Sequence, residues 1–398
     1  MNIWYCPQGK AFMRALCRTL AKEVEHVVVS LPERHIPSFL TEFSSYGRKS
    51  LGPFMTVQIE DGRPLAESLM PAFQTEGRDV VLLEDFPELQ VKKGSTIVLR
   101  FPSHLSANRQ ECAGFLEIMA AHAKACKDRR ESPPWNLIAL MPAQLPLPRE
   151  EIGLKTFVWW GKLRPSDLEY AVEQTLEGLA LNEAAYYWYY ALCKGLAVMD
   201  PGLVEAIVSN PPVSARQLVE VVQGHELLRN DVGELARRYY EMGQSGINRQ
   251  TLPHGIEATL WHLGALDIDC YGNPALHPAA LVAAGLETRL ETLLVQGQMQ
   301  VYLPLVQEVH SFLCRMLEKR FGADWGKKNT QKYDSVESEI GKLPFYMKEF
   351  FRRKISQELI DLAFQWREVR NTIAHGSIIP CKLALIAVAR YKEFRTSI

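Results

Sequence analysis

Over residues 1–160 the chain repeats one pattern. A short apolar run, bounded by proline, glycine or charge, gives way to a longer stretch with helical spacing. The runs are "MNIWYC", "VEHVVVSL", "DVVLLED", "STIVLRF", "WNLIALMP" and "KTFVWW". Continuous apolar runs of this length suit strands buried on both faces of a parallel sheet. Between them, "KAFMRALCRTLAKEV" and "ANRQECAGFLEIMAAHAKACKD" carry helical periodicity. This alternation restricts the front of the chain to an α/β layered domain.

After residue 160 the strand pattern stops. "LRPSDLEYAVEQTLEGLALNEAAYYWYYALCKGLAVMD" reads as helix opened by a Ser-Asp cap, and its tyrosine cluster as helix-packing core. "DIDCYGNPALHPAAL" is a turn-rich insert. Residues 161–297 are thus predicted to be a helical connector or sensor. From residue 298 the chain reads as a bundle of four to five helices, including "VESEIGKLP", "FYMKEFFRRKI", "QELIDLAFQWREVRNTIAH" and "PCKLALIAVARYKEF". A length of 398 residues suits this division into two or three domains.

Composition is that of a globular protein: 47% apolar, 23% charged, net charge -1. The charge is uneven. Residues 301–398 hold 17 Lys/Arg against 11 Asp/Glu, and residues 1–300 hold 28 against 35. A positive C-terminal region can face nucleic acid, though many ordinary domains carry as much. The eight cysteines form no CxxC pair and no cluster with zinc spacing, so reduced thiols are expected. The first residues lack a basic stretch followed by an apolar one, and no run reaches 18 apolar residues. No signal peptide and no membrane association are expected, and a cytoplasmic location is.

"FQWREVRNTIAHG", residues 364–376, brings an arginine, an asparagine and a histidine to the last turn of a helix that Gly376 should end. A plain reading has Arg370 and His375 satisfying the last carbonyls. The spacing Arg370, Asn371, three residues, His375 resembles the Arg–polar–x3–His signature of the HEPN family, small all-α bundles with the motif on a late helix. The resemblance covers about residues 300–398. It implies a metal-independent endoribonuclease acting on RNA, with no cofactor required. His375 would move protons and Arg370 would hold the phosphate, with Asn371 orienting one of them. Two bundles, in a homodimer or larger homo-oligomer, would face their motifs to one another. Arg352, Arg353 and Lys354 read either as phosphate contacts or as a solvated face.

At the other end, "WYCPQGKAFM" stands where a phosphate-binding loop would join a first strand to a first helix. Gly9 and Lys10 match the end of GxxxxGK[ST]. Trp4 replaces the first glycine and Ala11 the magnesium-binding hydroxyl. Glu84 and Asp85, closing "DVVLLED", resemble a Walker B pair. The front therefore resembles a degenerate P-loop NTPase fold of the STAND or AAA kind; the alternative is an unrelated sheet with a chance Gly-Lys. ATP is the cofactor this implies, and the missing hydroxyl argues against turnover. The combination resembles prokaryotic conflict and phage-defence proteins, in which a protein or phage-derived trigger releases RNA cleavage. A non-catalytic sensor or scaffold and a working NTPase are the competing readings.

Overall fold

The computed structural model describes residues 2–396 apart from 24–25, 75–81, 92–95, 103–108, 143–146, 149–151, 229–230, 244–245, 328–331 and 334–335. It divides into two compact units: Asn2–Asp167 with Asn230–His277, and Leu168–Arg229 with Pro278–Ile398.

The first unit is built on a parallel five-stranded sheet: β1 (His26–Ser30), β2 (Phe54–Gln58), β3 (Thr96–Arg100), β4 (Asn136–Met141) and β5 (Leu154–Val158), in the order β2-β3-β4-β1-β5. Every residue of β1 is buried, and β3 and β4 nearly so, which accounts for their unbroken apolar runs. The edge strands β2 and β5 are partly exposed. Helices α1 (Pro7–Arg18), α2 (Ile36–Leu51) and α3 (Arg109–Arg129) belong to this unit, as does a short hairpin, β6 (Leu266–Ile268) with β7 (Pro274–Leu276).

Several expectations are corrected here. "MNIWYC" is not a strand. Asn2 caps a 3-10 turn, Ile3–Tyr5, and α1 follows at once with Pro7 in its first turn. "DVVLLED" falls partly outside the described residues; its end enters a 3-10 turn, Leu83–Glu88. A strand was also missed. "FMTVQ" carries Thr and Gln because β2 lies at the sheet edge, and the Gly52-Pro53 before it and Asp61-Gly62 after it were its signals.

The second unit is helical. Its main elements are α4 (Glu183–Leu196), α5 (Glu287–Phe321), α6 (Leu343–Phe350), α7 (Gln357–Ala374) and α8 (Cys381–Thr396). α4 and α5 cross closely at two glycines. A Cβ on Gly195 would lie 2.3 Å from the Leu293 carbonyl oxygen, and one on Gly297 2.3 Å from that of Ala191. The expected boundary at 297/298 thus falls inside α5, at its tightest contact with α4. α7 and α8 are joined by the Trp366 indole, which donates to the Ala387 carbonyl at 3.1 Å. The Gln298 amide pairs with the backbone of Ile379 through Nε2 and Oε1, at 3.4 and 2.7 Å. "VESEIGKLP" is not helical. It runs as turns up to Leu343, since Gly341 and Pro344 oppose helix continuation. Among the described residues no helix is long and apolar enough to cross a membrane.

Candidate functional site

α7 begins at Ser356, whose hydroxyl accepts the Leu359 amide at 3.3 Å. Leu359, Leu362, Ala363, Trp366, Val369 and Ile373 form its buried stripe at three- and four-residue spacing. Arg370 and Asn371 lie at the border of that stripe, half-buried, and His375 is exposed.

The C-terminal end of α7 bears on the capping reading of its polar residues. Gly376 adopts φ 67°, and its amide donates to the Ile373 carbonyl at 2.9 Å. The Ser377 amide reaches back to Thr372 at 3.0 Å and the His375 amide to Asn371 at 3.0 Å. This is a Schellman closure, in which backbone amides satisfy the last carbonyls. The Arg370 and His375 side chains are not needed to cap the helix. His375 makes no side-chain hydrogen bond or ion pair among the described residues. Arg370 donates through Nη1 to Asn371 Oδ1 at 3.2 Å and through Nη2 to Glu339 Oε2 at 2.9 Å. Arg370 and Asn371 are thereby brought together, with Glu339 as a third member that the sequence reading placed in a helix of the bundle.

Glu339 reaches the site because the turns before α6 are clasped to α7. Arg367 donates to the Gly341 carbonyl at 3.0 Å, and its guanidinium lies 4.7 Å from the centre of the Phe345 ring. Phe345 in turn meets Phe364 edge-on at 5.2 Å. Next to this clasp lies an open hollow of about 390 Å³ lined by Lys332, Tyr333, Lys342, Phe345, Lys348 and Glu349. Lys332 and Tyr333 both hydrogen-bond Glu349, which lies below its ordinary pKa for that reason. Arg352, Arg353 and Lys354 follow α6 and are exposed.

The N-terminal candidates do not assemble. Gly9 lies inside α1, and a Cβ there would sit 2.5 Å from the Ile3 carbonyl oxygen. Its smallness serves packing of α1 on the preceding turn. Lys10 is exposed on the same helix, and neither follows a strand. Trp4, in the place of the missing glycine, is core: its indole donates to Ser38 Oγ at 3.1 Å and its ring meets Trp159 at 4.8 Å. Asp85 accepts the Leu82 amide at 3.1 Å and caps its own turn, and Glu84 is exposed beside it; both lie in the 3-10 turn Leu83–Glu88.

The sheet does have a crevice where such folds bind ligands. β1 connects onward to β2 past β4 and β3, while β4 connects onward to β5 past β1. Neighbours whose connections run in opposite directions form a topological switch point, and the crevice lies beyond their carboxyl ends. A cavity of about 210 Å³ lies there, lined by Glu33, Gln58, Arg100, Phe101, Pro142 and His262 among others. Glu33 stands 3.4 Å from His262 Nε2 and 3.7 Å from Arg100 Nη2. The loop leaving β1, "LPERHIPS", has no glycine and two prolines, so it lacks the backbone freedom of a phosphate cradle. β3 ends in Arg100, where a Walker B acid would be needed. Burial pushes the Cys112, Cys193 and Cys314 thiols up to about 12, which leaves them poor nucleophiles. Comparison with family models, curated proteins and solved structures gives no match to this chain.

Proposed function

We propose that the chain is a metal-independent endoribonuclease of HEPN type, acting through Arg370, Asn371 and His375. One observation carries the reading: α7 is closed by backbone amides alone, so the three polar side chains at its end have no capping work. RNA supplies its own nucleophile in the 2′-hydroxyl. The protein then needs a planar cation for the phosphate and groups to move protons. Arg370 is the clamp, Asn371 orients it, and exposed His375 is a proton-transfer group.

In this reading the enzyme is the effector of a prokaryotic defence or toxin-type system, silent until a trigger acts, and works as a homodimer or larger assembly. The α/β unit is the sensing part, an eroded nucleotide-binding fold. Its glycine-free loop after β1 supports a role without ATP turnover. The test uses the full chain with labelled single-stranded RNA in EDTA. Products ending in 2′,3′-cyclic phosphate are expected, and Arg370→Ala or His375→Ala should remove them. Loss of cleavage on chelation, or full activity in both variants, rejects the reading.

A further inference from the structure

Cleavage of RNA through its 2′-hydroxyl moves two protons, one off the attacking oxygen and one onto the leaving oxygen. Arg370 and His375 supply one clamp and one proton-transfer group. The carboxylate of Glu339 lies within hydrogen-bond distance of that clamp, 2.9 Å from Arg370 Nη2. Glu339 and Arg370 keep 43% and 36% of their side-chain surface exposed, so a phosphate can approach both. Asn371 and Glu339 take one N–H from each terminal nitrogen, and a guanidinium has five N–H groups, so donors remain for phosphate oxygens. A phosphate held by Arg370 brings the neighbouring ribose 2′-hydroxyl close to the clamp, and Glu339 is the carboxylate that touches the clamp. Glu349, the acid of the neighbouring hollow, is instead engaged by Lys332 and Tyr333.

We propose that Glu339 is the general base of the reaction, an assignment that rests on the ribonuclease reading. Its carboxylate takes the 2′-hydroxyl proton as the 2′-oxygen bonds to phosphorus. Arg370 holds the non-bridging oxygens as they gain charge. The bond from phosphorus to the 5′-oxygen breaks, its electron pair leaves with that oxygen, and the His375 imidazolium protonates it. The products are a 2′,3′-cyclic phosphate and a 5′-hydroxyl. Glu339 then loses its proton to water and His375 regains one. Each chain thus contributes a base, a clamp and an acid to the paired site.

The experiment compares two substrates in EDTA on the full chain. One is an RNA oligonucleotide. The other is a uridine 3′-(4-nitrophenyl phosphate), whose leaving group departs without a proton. Glu339→Gln keeps an oxygen for Arg370 but cannot accept the proton, and it should lose about 10²- to 10⁴-fold on both substrates. His375→Ala should lose on RNA and recover most of its rate on the nitrophenyl ester. Where Glu339→Gln fails to fold, Glu339→Asp takes its place and should show an intermediate loss on both substrates. Wild-type or faster cleavage by either Glu339 variant overturns the assignment while His375→Ala remains inactive on RNA, because Glu339 then only restrains Arg370. A loss by Glu339→Gln on RNA alone also overturns it. If the wild-type chain gives no cleavage that His375→Ala abolishes, the ribonuclease reading itself falls and takes the assignment with it.

Discussion

Two polar sites, one beyond the carboxyl ends of the parallel strands and one at the end of α7, invite opposite conclusions. The first stands where topology alone would put a ligand, yet its loop has two prolines and no glycine, and its single acid sits between His262 and Arg100. The second stands where topology favours nothing. Its helix end is closed by the backbone, and that leaves an arginine, an asparagine and a histidine without a capping task. Position in a fold marks where a ligand fits. Unspent polar side chains mark where chemistry can occur.

The sharpest way to break this contrast is to remove one side chain from each site. His375→Ala should lower RNA cleavage by about 10²- to 10⁴-fold, the usual worth of a group that transfers a proton. Arg100→Ala, at the crevice, should leave the cleavage rate within about two-fold once the fold is checked by circular dichroism. A reversal of these two results would move the active site to the sheet.

A second effect separates the units by pH. Burial raises the Asp267 carboxyl to about 7, against the opposing hydrogen bonds from the Gly161 and Ile268 amides and the charges of Arg34 and Arg249. The folded state therefore holds a proton that the unfolded chain releases near the ordinary carboxyl value of 3.8. The stabilisation from protonation is present below that value and lost as pH rises towards about 7. In the same unit burial lowers His26 to about 3, and its Nδ1 accepts the Leu137 amide at 3.1 Å. His26 has the opposite sign: its contribution is full above the ordinary imidazole value of 6.5 and lost as pH falls towards about 3. Asp267→Asn should remove the fall in melting temperature between about pH 4 and pH 7. An unchanged pH profile would show that Asp267 is ionised throughout.

How much of this was legible in the sequence follows the same physics. The central strands were readable because burial on both faces forbids polar residues, as "HVVVS" and "NLIALM" show. β2 escaped notice because an edge strand tolerates Thr56 and Gln58. Trp4 and Cys6 look like strand residues, but they are buried around a cap made by Asn2 and a helix started by Pro7, so local capping overrode apolar content. At the candidate site, α7 and its Gly376 stop were legible, and Arg370 and Asn371 with them. Glu339 was not: it lies 31 residues upstream of Arg370 and meets it only through tertiary folding. Gly341 and Pro344 were the available signals that its segment is a turn.

A third comparison concerns two glycines read for different purposes. Gly376 has open space around its Cβ position but φ 67°, whereas Gly9 is helical with Ile3 and Trp4 backbone atoms within 2.6 Å of that position. Gly9→Ala should therefore destabilise the first unit by about 1–3 kcal/mol through overpacking, measured by urea unfolding. Gly376→Ala should cost about 1 kcal/mol through strain in the left-handed region. If Gly9→Ala leaves stability unchanged but abolishes binding of a nucleotide triphosphate, Gly9 belongs to a phosphate loop after all.

The smallest effect tests whether the ground around Arg370 is shaped for RNA. Lys342, Phe345 and Lys348 line the hollow beside the clasp that carries Glu339, and Phe345 keeps 42% of its surface exposed. Lys348 makes no ion pair among the described residues, whereas Lys332 is held by Glu349 at 2.6 Å. Lysines flanking an exposed ring suit a single strand, with the phosphates on the charges and a base on the ring. Removing both charges with Lys342→Gln and Lys348→Gln should weaken binding of an RNA oligonucleotide to the inactive His375→Ala chain by about three- to ten-fold at physiological salt. Each lost phosphate contact should also flatten the slope of log affinity against log salt by about 0.7, the single-strand value. Lys332→Gln, which removes a charge already spent on Glu349, should change neither quantity. Fluorescence anisotropy across a salt series separates these cases. Equal slopes for the doubly substituted and parent chains would place the RNA path away from the hollow, leaving the motif at the end of α7 to bind its phosphate unaided.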